Sequence, residues 1–97
     1  MKLFAVIRTR GDAWQPALPL ERQADWNAHA AFMDDLHEEG FIVLGGPLDE
    51  TPDILLVVRA NDTAEIAQRF ADDPWSKAGL LRIDRIAPWM IRLGSLP

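Results

Sequence analysis

Three runs of this chain are apolar without a break: Leu3-Phe4-Ala5-Val6-Ile7, Phe41-Ile42-Val43-Leu44 and Ile54-Leu55-Leu56-Val57-Val58. A strand with one wet face alternates apolar and polar residues, whereas an uninterrupted apolar strand has both faces covered. Any fold of this chain must therefore bury both sides of a sheet.

The remaining segments set the topology. Residues 2–9 read as the first strand, ended by Arg10-Gly11-Asp12. Residues 10–19 form a loop punctuated by Gly11, Pro16 and Pro19. A helix follows over 25–39, with a start as early as Leu20 left open, and Gly40 suits the position just past its end. Strands follow at 41–48 and 54–59, joined by a turn containing Pro52. Asp62-Thr63-Ala64-Glu65 has the spacing of a capping box and opens a second helix that buries Ile66, Ala67, Phe70 and Ala71. That helix ends at Asp72-Asp73, because Pro74 disfavours helical geometry before it. Residues 80–93 form a last strand whose alternation slips near Arg85-Ile86 and is interrupted by Pro88, as in a bulged edge strand.

The order is β-α-β-β-α-β in one domain over residues 1–97. It predicts an α+β, ferredoxin-like layout: a four-stranded antiparallel sheet with two helices on one face. The other apolar face needs a second layer, and the chain has no element left to supply it. A second copy, sheet against sheet in a two-fold homodimer, would.

Composition excludes several functions. No cysteine is present, which removes disulfides, thiolate metal sites and cysteine nucleophiles. A net charge of −5 without a basic patch argues against nucleic-acid binding. The apolar run near the N-terminus is too short for a signal peptide or membrane span, so the expected compartment is the cytoplasm. His29 and His37 lie eight residues apart with no third ligand nearby, which gives no metal site. Ser76 and Ser95 lie outside any nucleophile-elbow pattern. Gly45-Gly46-Pro47 is followed by neither a lysine nor a helix, so it is no phosphate loop, and no cofactor is implied.

His29 is the residue that points to chemistry. On a helical wheel with Trp26 at zero, Trp26, Phe32, Met33 and Leu36 average roughly 305°, and His29 falls at about 300°. Its imidazole should face the interior and needs partners there. A backbone carbonyl would make it a satisfied core histidine, whereas a carboxylate would make it an acid–base group.

The order His29, then Gly40, then Gly46-Pro47, then Asp73-Pro74-Trp75 with Ala78-Gly79, then Pro88-Trp89 resembles the YCII-related (YciI-like) family of the dimeric α+β barrel superfamily. The resemblance implies a His–Asp active-site pair at His29 and Asp73. It also implies a basic residue three positions before the histidine, where this chain has Trp26 and its nearest arginine is Arg22. Some relatives eliminate halide from chlorinated hydroquinones. On this reading Asp73 fixes the tautomer of His29, and the free ring nitrogen moves a proton on a small aromatic molecule by elimination or isomerisation. Trp26, Met33 and Trp75 would form an apolar wall, Gly46 would leave room beside the ligand, and Arg8 with Arg10 would meet an anionic group. Two alternatives stand beside it: a noncatalytic small-ligand binder or accessory subunit with a structural histidine, and a cofactor-independent monooxygenase of the same superfamily. Access to His29 separates catalysis from structure.

Overall fold

The computed structural model describes residues 1–96. Its elements are β1 (Lys2–Arg10), a 3-10 turn (Leu20–Arg22), α1 (Trp26–Glu38), β2 (Ile42–Pro47), β3 (Asp53–Ala60), α2 (Thr63–Ala71), α3 (Pro74–Lys77) and β4 (Leu81–Pro88). The strands form one sheet in the order β2-β3-β1-β4, with every neighbouring pair antiparallel. This is the split βαβ arrangement that the element order predicts.

Register explains how one face becomes the core. Phe4 lies opposite Val58 and Val6 opposite Leu56. These side chains pack with Leu36 of α1 and with Ile66 and Phe70 of α2. The opposite face carries Leu3, Ala5, Ile7 and Leu55, all only half-buried, and Leu44, which is 40 % exposed. Among the described residues, the helices leave this second apolar face open.

Local chemistry sets the helix boundaries. Gly40 adopts φ +84 just after α1, a conformation that favours glycine. At α2 the Asp62 side chain accepts from the Glu65 N–H at 2.9 Å, and Glu65 Oε1 accepts from the Asn61 N–H at 2.7 Å. The capping box therefore closes one residue further back than its spacing suggests.

Four details differ from the sequence reading. The segment from Leu20 forms a separate 3-10 turn rather than the start of α1. Ala67 and Ala71 are exposed, because α2 buries only the narrow stripe of Ile66 and Phe70. β4 ends at Pro88, not Leu93: Phe4 already pairs with Pro88, and β1 has almost no residues left to pair beyond it. The slip in β4 falls at Asp84, since Ile7 faces Arg85 while Arg8 faces Ile83. β4 is an edge strand, as its proline implies.

A second irregularity, in β2 between Ile42 and Leu44, places Gly45 opposite Leu56 on the helix side of the sheet. A side chain there would collide with Leu56 and lie 2.9 Å from the Leu55 carbonyl oxygen. Glycine at this position keeps β2 flat against β3 and leaves open the space beneath α1. No helix among the described residues is long and apolar enough to cross a membrane.

Candidate active site

The site begins at the junction of α2 and α3. Asp73 does not close α2, as the sequence reading had it; it is the cap of α3, the element that reading missed. Its side chain accepts from the Trp75 N–H at 3.0 Å, and Pro74 takes the first helical position, where its lack of an N–H costs nothing. This short turn fixes the Asp73 carboxylate and the Trp75 ring together. The Trp75 indole donates to the Ala24 carbonyl at 2.6 Å, which ties α3 to the start of α1.

His29 is 7 % exposed, on the inward face of α1 as its helical position implies. Its Nδ1 lies 2.9 Å from Asp73 Oδ1 and 3.0 Å from Oδ2. Its ring stacks on Trp75 with centroids 3.8 Å apart and planes within 5°. Carboxylate and indole together fix the imidazole's direction and plane. With Nδ1–H donating to Asp73, Nε2 becomes the free nitrogen. Nε2 has no protein partner and is not sealed: among the described residues, the only enclosed side-chain nitrogen or oxygen without a partner is Arg8 Nε.

His29 lines a cavity of about 410 Å3, a size suited to a small ligand. His29, Trp26, Met33, Trp75, Gly46 and Arg8 all line it. Asp73 lies behind His29, fully buried. Three aromatic residues dominate the apolar part of the wall. Trp14 meets Trp75 edge-on at 5.5 Å, and Trp26 leans on Trp75 at 5.7 Å. Trp14, in the loop after β1, packs against Trp75, Leu80 and Leu81 and lines the same cavity. Gln23 is the residue that went unnoticed. It is buried, accepts from the Gln15 N–H, and donates to the carbonyls of Gln15 and Leu18, so it pins the loop that carries Trp14. Only its isolation in a polar stretch could have singled it out.

Arg8 is also placed differently from expectation. It is fully buried, and Nη1 donates to Asp73 Oδ2 at 2.8 Å. Its charge is engaged inside the protein rather than held ready for an anionic substrate. Burial pulls the guanidinium down from its ordinary value, and Asp73 restores part of that loss. For Asp73, burial by itself pushes the carboxyl up. The hydrogen bonds from His29, the Trp75 N–H and Arg8, together with the Arg8 charge, outweigh burial and hold the carboxyl below the usual range. His37 is exposed, with Nδ1 2.9 Å from the Ile42 carbonyl oxygen.

A family model described as the YCII-related domain matches residues 1–90. The chain belongs to the YCII-related family. Among solved structures it is similar to 5-chloro-2-hydroxyhydroquinone dehydrochlorinase from Burkholderia phenoliruptrix, determined in complex with 2,5-dihydroxybenzoquinone. That match has a TM-score of 0.62 and 23 % identity, and covers 95 % of each chain. At this identity the likeness is one of fold, and it places this YCII-related chain in the α+β class that its element order predicts. No curated protein matches the chain.

The electrostatics give a test with a definite sign. A carboxyl held below its unfolded value adds stability above that value, about pH 4, and loses it as pH falls through the folded value. Asp73→Asn leaves Arg8 buried without its counter-charge and should cost about 3–5 kcal/mol at pH 7. The gap between wild type and variant should narrow at pH 3. Chemical denaturation at both pH values checks this, and an equal gap at both would contradict it.

Proposed function

We propose that this protein is an acid–base enzyme acting on a small aromatic molecule, with His29 as the proton-transfer group and Asp73 as its partner. One observation carries the proposal: Nδ1 of His29 is tied to a buried carboxylate, Nε2 has no protein partner, and the residue lines a cavity walled by tryptophans. A histidine that only satisfies the core has no need of an open nitrogen. Nε2 removes a proton from an acidic hydroxyl or carbon of the substrate, and Asp73 stabilises the imidazolium that forms. In an elimination the released electron pair expels the leaving group. In an isomerisation the imidazolium returns the proton at another atom. The dehydrochlorinase of similar fold supports elimination from a hydroquinone as the reaction to try first.

His29→Phe keeps the apolar packing and removes the proton chemistry. With 5-chloro-2-hydroxyhydroquinone as the probe, wild type should release chloride, and the folded His29→Phe variant should bind the probe without releasing it. Undiminished release by that variant would end the catalytic assignment. Wild type that binds the probe and releases nothing would favour the noncatalytic binder.

The proposal includes a homodimer. The open sheet face carries Leu3, Ala5, Ile7, Leu44 and Leu55, flanked by Arg59 and Arg85, and a second copy covers it sheet to sheet. Sedimentation at micromolar concentration should give a dimer, whose interface buries more than roughly 1,200 Å2 in total. A folded monomer under those conditions would refute it.

A further inference from the structure

Arg8 is the buried charged group that the proton-transfer scheme leaves unused. Four contacts from separate parts of the chain hold its guanidinium. Nη1 donates to Asp73 Oδ2 at 2.8 Å and approaches the Met33 sulfur at 3.9 Å. Nη2 donates to Ser76 Oγ at 2.7 Å. The Phe70 ring lies beneath, with its centroid 4.9 Å from the guanidinium carbon. Nε finds no partner, so the cation is kept in the interior even with one donor unsatisfied. An apolar side chain of similar length would fill the same volume without that cost.

The placement of Arg8 matters for the pair in front of it. Asp73 Oδ2 lies between Arg8 Nη1 and His29 Nδ1, at 2.8 Å and 3.0 Å. Oδ1 lies between His29 Nδ1 and the Trp75 N–H, at 2.9 Å and 3.0 Å. A carboxylate with histidine as its only cationic partner draws a second proton onto the ring. Here the carboxylate already has a permanent cation, and a charged ring would face that cation across it. The other charged residues at the cavity are Arg10, Asp34 and Asp53, and none of them pairs with His29 or Asp73. Arg8 and Asp73 are thus the charges built directly behind His29.

We propose that Arg8 is the positioning residue of this site: it aims the Asp73 carboxylate at His29 and cancels its charge, so that the resting imidazole is neutral with Nε2 bare. This deepens the reading of His29 and Asp73 as an acid–base pair and rests on it. The site then begins its reaction by taking a proton, and its substrate must first give one up. Ser76, to which Arg8 donates through Nη2, fixes the guanidinium and is not among the residues that line the cavity.

The test is nitrogen-15 NMR of the His29 ring at pH 7, in wild type, Arg8→Met and Arg8→Lys. Wild type should show the two widely separated signals of a neutral ring protonated at Nδ1. Arg8→Met should show the close pair of a doubly protonated ring, and Arg8→Lys should keep the wild-type pattern. A folded Arg8→Met protein with an unchanged ring overturns the proposal. If Arg8→Met does not fold, the other two spectra decide: a doubly protonated ring in wild type or in Arg8→Lys overturns it equally. Loss of chloride release bears on the acid–base assignment, whereas these spectra bear on Arg8, so the two can fail separately.

Discussion

The Asp73 carboxylate is where the parts of this structure meet. It receives Arg8 from β1, His29 from α1 and the Trp75 N–H from α3, and it is fully buried. A buried carboxylate is tolerated only when its charge is matched and its oxygens are hydrogen-bonded, and here both conditions hold. The three donors come from elements far apart in the chain, so one side chain fixes how α1 and α3 dock on the sheet. Trp75, placed by the same turn, then covers one face of the imidazole.

The consequence is asymmetry at His29. One nitrogen is held by protein, and the other has nothing to hold. The cavity that His29 lines depends on residues elsewhere in the chain. Gly45 lets β2 lie close to β3, Gln23 anchors the loop that presents Trp14, and Trp26 starts α1 at the rim. On the proposed function, an apolar, aromatic wall beside a single free base suits a small planar molecule with an acidic proton.

Much of the fold was legible because it rests on local pattern. The unbroken apolar strands, the helical phase of His29 and the break at Gly40 each follow from neighbours in sequence. The candidate residues His29, Trp26, Met33, Gly46, Trp75 and Arg8 do line one cavity. What periodicity could not show was pairing at long range. Arg8 and Asp73 are separated by 65 positions, and nothing in the strand pattern marks that arginine as the buried one of the pair Arg8 and Arg10. The helix α3 is only four residues long, too short for periodicity to register, although Asp73-Pro74 is a good helix start by its chemistry. The early end of β4 depended on the length left in β1, which is a property of register rather than of residues 89–93.

The central claim is that Nε2 of His29 is the group presented to a substrate. A crystal structure of this protein with 2,5-dihydroxybenzoquinone, the molecule bound to the dehydrochlorinase of similar fold, tests it most directly. The account predicts the quinone in the cavity beside Trp26, with one of its oxygens within hydrogen-bonding distance of Nε2. A quinone bound elsewhere, with Nε2 closed off by a protein side chain, would contradict it.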